Sequence, residues 1–538
     1  MENNMKRAAV WVPLLLAVAF GAGLLTGAMF FTRFTGSGAH SKLDAIMGHI
    51  QEEYVDEVNT DSLLEASIPD ILAKLDPHTT YISSEDLASA NEELEGSFCG
   101  IGISFNMLTD TITVLEVISG GPSEKVGLMA GDRIITINDS VVAGQKWSNE
   151  KVISQLRGEK GTQVNLGVLR STSPKLLNYT VTRGDIPVTS IDAAYMLSDG
   201  TGYVKVNKFG RNTYSEFLNA MVELRDKGAN RFMIDLRGNG GGYMEPAILM
   251  ANDFLPASCP IVETRGRSNI SETSAVSDGT GAFQKFPLVV VLDEFSASAS
   301  EIFAGAIQDN DRGVIVGRRS FGKGLVQRQI ELPDHSALRL TTARYYTPSG
   351  RCIQKIYTPG SLKSYDMEIV NRYNNGEVFS ADSVHLDKSK EFHTLGGRVV
   401  YGGGGIMPDV FVPNDTTGLS TYYLNVLNAG LMQKYAFHYT DMERARLQQA
   451  SNVTELMRLL PSDDTLLQDF ALYARDTEGI APRWYYINIS RDLIVSQLKA
   501  LIARDMLGSS AFYEVYNVSD PMIMRAEKEF GTGLQGSR

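Results

Sequence analysis

The sequence predicts an α/β protein of several domains behind an N-terminal membrane-spanning helix. Three observations carry that expectation. The chain has 538 residues, too many for a single hydrophobic core, and the prior is about three or four domains. The stretch LVVVLDEFSASASEIFAGAIQDNDRGVIVGRRSFGKGLVQ, Leu288 to Gln327, reads as strand, turn, helix and strand. Ala8 to Phe31 is an almost uninterrupted apolar run, long enough to cross a bilayer, which takes about 20 residues.

Composition excludes several classes of function. A hydrophobic content of 43% and a charged content of 21% are those of a globular protein. A net charge of -13 argues against nucleic acid as a partner. Three cysteines, Cys99, Cys259 and Cys352, are too widely spaced for a disulfide framework or a CxxC metal site. Each reads as a small buried or half-buried residue. There is no HExxH, so zinc peptidase chemistry lacks its usual ligands.

Taken in order, residues 1–7 form a short stub whose Lys6 and Arg7 precede the apolar run. The positive-inside rule leaves that stub in the cytoplasm and sends the remainder outside. A cleaved signal peptide is the rival for residues 8–31. The run is long for such a segment and no clear A-x-A ends it, so an uncleaved anchor is the better reading. Thr32 to His40 is a Gly/Ser/Thr linker, and residues 40–95 read as helical, with Asp76-Pro77 ending a helix.

Residues 96–184 carry GIGI, then TITVLEVISGGPSEKVGLMAGDRIITIND, SNEKVISQLRG and QVNLGVLR. Short strands, a tight turn and a helix in that order resemble a PDZ module. The resemblance implies that the backbone N–H groups of Gly100, Ile101, Gly102 and Ile103 capture a peptide's terminal carboxylate, while the peptide adds as a strand to an open edge. The alternative is a PDZ fold that serves only as an interdomain brace.

Residues 186–413 read as an α/β domain. Gly202 to Val206 and Arg231 to Leu236 are strand-like. Thr213 to Lys227 is a helix with an expected capping box, Thr213-x-x-Glu216, an apolar face of Phe217, Met221 and Leu224, and Gly228 just past its end. GNGGG, Gly238 to Gly242, is not a dinucleotide loop, because Tyr243 replaces the last glycine of GxGxxG. Leu288 to Leu292 is a buried strand, Ala299 to Gln308 a helix, and Val314 to Val316 another strand.

Several chemistries compete for that last stretch. GRRSFGKG fits a P-loop except that Gly324 stands where the magnesium-binding hydroxyl belongs. Ser320 and Lys323 make an SxxK pair, as in penicillin-recognising enzymes. Ser298 and Lys323 are a third pairing, a hydroxyl at a helix N-terminus with a lysine as its base. A buried turn of small residues is the bland fourth. None of the seven histidines falls inside the Ser298 or glycine-loop motifs, so no motif supports a Ser-His-Asp triad.

Five ordered stretches decide among these. LDPHTTYI (Leu75–Ile82), GIGI (Gly100–Ile103), DLRGNGGG (Asp235–Gly242), SASASE with GKGLVQ, and TTARYYTPSGRCIQ (Thr341–Gln354) together resemble the carboxyl-terminal processing peptidases, or tail-specific proteases. The resemblance implies a crotonase/Clp-protease-like α/β core. It makes Ser298 the nucleophile, Lys323 the general base and Gln327 the residue that orients it. Backbone N–H groups of Gly242 and Ala299 would form the oxyanion hole. No metal or organic cofactor is implied. The expected substrates are unfolded proteins or proteins with exposed C-termini, cut on the periplasmic side of the inner membrane by a single-pass enzyme. The resemblance implies that the helical region before the PDZ module is where copies self-associate, and plain packing is the alternative. A non-catalytic PDZ scaffold with a degenerate protease fold is the alternative from another class.

Residues 373–404 are polar, interrupt the family pattern and read as a surface insertion. Residues 415–538 read as mostly helical, with an apolar stripe of Leu493, Ile494, Leu498, Leu501 and Ile502. No family residue maps onto this tail.

Overall fold

A computed structural model describes residues 20–21, 23, 39–107, 110–118, 120–170, 173, 175–198, 200–267 and 272–531. The expected membrane span at 8–31 therefore lies almost wholly outside the described residues. Among them, no helix is long and apolar enough to cross a membrane.

The chain divides into two compact units, Met1–Leu75 and Asp76–Arg538. In the first, helices Ala39–Glu53 and Thr60–Leu72 are joined by a short turn, and the Asn59 side chain caps the second by accepting from Asp61 and Ser62 N–H. That second helix passes through Pro69 and stops at Leu72, earlier than the Asp76-Pro77 stop expected from sequence.

In the second unit, the PDZ sheet has the order Ile103–Asn106, Ile112–Val117, Arg133–Ile137, Gln163–Leu169, Leu177–Thr182. Ile103–Asn106 lies at the end of that order and pairs with Ile112–Val117. The helix Asn149–Leu156 is capped by Ser148 and buries Val152 and Leu156 against the sheet.

The α/β core is a six-stranded sheet in the order Ile191–Ser198, Thr201–Val206, Arg231–Asp235, Leu288–Leu292, Val314–Gly317, Val410–Phe411. The first pair is antiparallel and the remainder are parallel. Every residue of Leu288–Leu292 and Val314–Gly317 is buried, as a parallel strand covered on both faces requires. One face packs under the helices Thr213–Asp226, Met244–Phe254 and Ala299–Asp309. Met522, Ile523 and Ala526 of the tail pack with Met233, Val289, Val291 and Val316 in the core of the other face. A second sheet joins Thr80–Ile82, Ala337–Tyr346, Pro260–Gly266 and Thr273–Val276, with Leu325–Glu331 paired to Ala337–Tyr346.

Three local expectations change. The Thr213–Asp226 helix has Asn212 at its N-cap and no capping box. Glu216 instead accepts the Ser190 N–H, and Thr213 Oγ1 accepts the Gly210 N–H and donates to Ser190 Oγ, so both side chains tie the helix start to the residue that precedes Ile191–Ser198. The 373–404 segment is not a plain surface excursion. It buries Val378, Thr394 and Val400, and its Glu377 pairs with Arg319 at 2.5 Å. In the tail, Ile494, Leu498, Leu501 and Ile502 are buried on the helix Arg491–Leu507, whereas Leu493 is 37% exposed at the rim of the stripe.

Candidate active site

Three loops leave neighbouring parallel strands at their carboxyl ends, the edge at which open α/β sheets place ligands. After Asp235 comes the glycine loop, after Leu292 the turn holding Ser298, and after Gly317 the loop holding Lys323. Ser298, Gly240, Gly242, Lys323 and Gln327 line one cleft of ≈ 500 Å³.

Ser298 caps the Ala299–Asp309 helix at φ 54°, ψ -112°. A side chain at positive φ is strained, so the turn needs bracing, and the contacts supply it. Its N–H donates to Glu301 Oε2 at 2.9 Å. Its carbonyl accepts from Glu301 N, from Ile302 N and from the Tyr345 hydroxyl, the last at 3.0 Å. The same Tyr345 hydroxyl also reaches the Lys323 carbonyl. The turn projects a half-buried hydroxyl into the cleft at the positive end of a helix.

The glycine loop is locked onto that turn by Asn239, which is fully buried. Its carbonyl accepts from Ala297 N–H and Ser300 Oγ, each at 2.9 Å. Its side chain donates to the Val206 carbonyl and accepts the Gly241 N–H. Only glycine fits next. A Cβ at Gly241 would lie 2.7 Å from Ser298 Cβ, and one at Gly242 would lie 2.2 Å from the Phe209 carbonyl oxygen. Phe209 donates to the Gly241 carbonyl and accepts from Tyr243 N–H, so the Gly242 N–H has no backbone acceptor among the described residues. Ala299 opens the helix, where N–H groups lack intrahelical partners. Ala299 N is 3.0 Å from where a Gly241 Cβ would stand. Of the two expected oxyanion donors, Gly242 lines the same cleft as Ser298 and Ala299 is the residue that follows Ser298.

Lys323 is half-buried in the cleft. Burial pushes its ammonium below the ordinary value, Glu301 opposes that shift, and the Arg339 guanidinium reinforces it. Arg339 is held by Gln329, Asn91 and the Ala90 carbonyl, with no carboxylate among these partners. No hydrogen bond joins Ser298 Oγ to Lys323 Nζ, as is common before substrate draws such groups together. Glu301 bridges the two segments. Besides Ser298 N–H it accepts Lys323 N–H at 2.9 Å, Gly322 N–H at 2.8 Å and the Ser320 hydroxyl. It is fully buried, and desolvation pushes its carboxyl up to about 7.

Ser320 is removed from the chemistry by the same contacts. It is fully buried, donates to Glu301 and accepts the Ile406 N–H at 2.6 Å. The SxxK pairing is thus a structural serine beside a cleft lysine. Gln327 lines the cleft, but its amide donates to Thr341 Oγ1 at 3.3 Å and not toward Lys323. Thr341 in turn donates to Asp76 Oδ1 at 2.9 Å.

Sequence reasoning missed Glu301, Tyr345, Asn239 and His78. Glu301 was findable from the S-x-x-E spacing that follows Ser298. His78 sits in LDPHTTYI, lines the cleft and places Nε2 2.9 Å from the Tyr365 hydroxyl. Burial, with Lys323 next, lowers its pKa to about 4, so it stays neutral near pH 7. No local pattern announces Tyr365, or Arg372 on the same helix, Leu362–Asn374. Arg372 donates to the carbonyls of Arg319, Ser320 and Phe321, the segment leading to Lys323.

In the PDZ unit, Gly100, Ile101 and Gly102 are buried and Ile103 opens the edge strand. Ser123 N–H bonds the Ile101 carbonyl and Ile118 N–H the Gly102 carbonyl, each at 3.0 Å, which fixes the loop from behind.

Three family models match the chain. The model of peptidase family S41 matches residues 200–360, that of the PDZ domain residues 99–181, and that of a family of unknown function, DUF8443, residues 422–508. A carboxy-terminal-processing protease of Bartonella bacilliformis is 35% identical over 62% of this chain and 79% of its own. The carboxy-terminal processing proteases CtpB and CtpA of Bacillus subtilis are 32% and 31% identical, over 59% and 60% of this chain and 66% and 68% of their own. The chain belongs to the carboxy-terminal processing proteases, serine-type peptidases that join a PDZ domain to a family S41 core.

Proposed function

We propose that Ser298 is the nucleophile of this peptidase and Lys323 its general base. Ser298 Oγ attacks the peptide carbonyl, and its proton passes to neutral Lys323 Nζ. Gly242 and Ala299 N–H hold the oxyanion. The lysine then delivers the proton to the leaving amine, and water, activated by the same amine, releases the acyl group. The observation that carries this reading is the meeting of Ser298 and Lys323 in one cleft, where burial favours the uncharged amine. Gln327 acts on the lysine at most indirectly, since its amide is engaged by Thr341.

Substrates are proteins with accessible C-termini, captured at Gly100–Ile103 beside the edge strand Ile103–Asn106. Residues 8–31 anchor the enzyme in the inner membrane with the peptidase on the periplasmic side, as Lys6 and Arg7 direct. The test is incubation of β-casein with the wild type and with Ser298→Ala. Cleavage by the first alone supports the mechanism, and cleavage by neither returns the scaffold alternative. Protease accessibility in intact spheroplasts tests the orientation.

A further inference from the structure

We propose that the C-terminal helical region is a working part of the active site, with Asp520 as a positioning residue that sets the glycine loop through Arg237. The inference rests on the reading of Gly242 as an oxyanion donor. None of the three matched family models reaches this position, since their matches end at residues 181, 360 and 508.

The two oxygens of Asp520 do different work. Oδ1 caps the last helix, Pro521–Glu529, by accepting from Met522 and Ile523 N–H at 2.8 and 3.2 Å. Oδ2 takes the Arg237 guanidinium at 2.7 Å. The other side of that guanidinium grips Asp235 Oδ2, also at 2.7 Å. Asp235 is fully buried, with the Tyr203 hydroxyl at 2.8 Å and the Lys205 ammonium at 3.5 Å. Lys205 also holds the Arg237 carbonyl. Asp235 and Asp520 thus face Arg237 and Lys205 in a largely buried site, where Arg237 keeps 19% of its side chain exposed and Asp192 also acts on Lys205. Removing the Asp520 charge leaves Arg237 with Asp235 as its remaining ion-pair partner, which it shares with Lys205, and a buried charge short of compensation drives rearrangement.

What would rearrange is the foot of the glycine loop. Arg237 directly precedes Gly238, whose N–H is fixed by Asp293 at 2.9 Å. Gly242 follows four residues on, where its close approach to Phe209 leaves no slack. The first turn of the same tail helix touches the neighbouring loop as well. Met522 Sδ is 3.1 Å from where a Gly317 Cβ would stand, at the start of the segment that carries Lys323. One helix end therefore bears on the feet of both loops.

The separate duties of the two oxygens make the idea testable. Asp520→Ser and Asp520→Asn both retain a good N-cap, and neither offers Arg237 an anion. In the detergent-solubilised full chain acting on β-casein, both variants are expected to fold cooperatively with a lowered melting temperature, since the cap is kept but Arg237 loses a carboxylate. Their kcat should fall about tenfold or more, as small displacements of catalytic groups cost. KM and the pH profile should stay where they are, because neither the PDZ loop nor Lys323 is altered. Asp520→Glu should recover part of the loss. Arg237→Ala/Asp520→Ser should be no worse than Arg237→Ala, since one residue acts through the other. A folded Asp520→Ser enzyme with wild-type kcat overturns the proposal. So does a loss in the double variant equal to the product of the single losses, or a failure of Asp520→Ser to fold, which would make the pair an element of stability alone. If Ser298→Ala is also fully active, the failure lies in the reading of the site and not in Asp520.

Discussion

Glu301 accepts the backbone N–H of Lys323 at 2.9 Å, and the same carboxylate oxygen accepts that of Ser298 at the same distance. A residue with no side chain in the cleft lining therefore fixes the spacing of the two that would react. Its other oxygen takes Gly322 N–H and the Ser320 hydroxyl. Glutamine presents one acceptor oxygen and one NH2, so Glu301→Gln turns donors toward donors. Activity should fall at least tenfold, and stability by about 1–3 kcal/mol, the cost of a buried donor left unmet. Steady-state kinetics and urea melts measure both.

The Glu301 carboxyl also makes stability depend on pH. It ionises near 4.5 in the unfolded chain and at about 7 when buried. Between those values the folded protein holds a proton that the unfolded chain has released. This contribution is complete below 4.5 and is lost as pH rises toward 7. Wild-type stability should therefore decline over that range relative to Glu301→Gln, whose amide does not titrate. Parallel slopes in urea melts across the range would reject the buried carboxyl as the cause.

Lys323→Ala should be as inactive as Ser298→Ala, and the double variant no worse, because the two would act as a unit. Lys323→Arg should also fail, since a guanidinium keeps its proton. Only the neutral amine accepts a proton, so wild-type single-turnover rates should rise with pH through a value below the ordinary lysine pKa. Gln327→Ala should be milder, because its amide bonds Thr341. A fully active Lys323→Arg enzyme would move the search to His78, the histidine in the same cleft.

Ser298→Ala should abolish cleavage while leaving peptide binding intact. Ser320→Ala should keep substantial activity but lower the melting temperature, because it removes a buried hydroxyl that serves Glu301 and Ile406. Its cost should be about 1–3 kcal/mol. An inactive, well-folded Ser320→Ala enzyme beside an active Ser298→Ala enzyme would restore the SxxK pairing.

A substrate with an apolar C-terminal residue and a free carboxylate should be cut faster than its amidated twin. The backbone donors of Gly100–Ile103 find an anion in the first and none in the second. The difference should appear mainly in KM. Equal rates would leave the PDZ domain as a brace.

The sequence by itself determined the strands Leu288–Leu292 and Val314–Gly317, the helix between them, the PDZ elements and the motifs bearing Ser298, Lys323 and Gly242. These are legible because short-range patterns encode them. Buried parallel strands are continuous apolar runs, helices carry a periodic face, and glycines mark places where a Cβ cannot fit. Tertiary structure alone decided that Gln327 faces Thr341, that Glu301 ties Ser298 to Lys323, and that Asp520 reaches Arg237 across 283 residues of sequence. It also gave the polar 373–404 segment its Glu377–Arg319 ion pair and made the tail the second cover of the six-stranded sheet. The physical reason is the range of the forces. Helix and strand preferences are satisfied within a few residues, whereas a buried charge accepts whichever partner the packed chain brings near, and neither member of such a pair carries a local mark of the other.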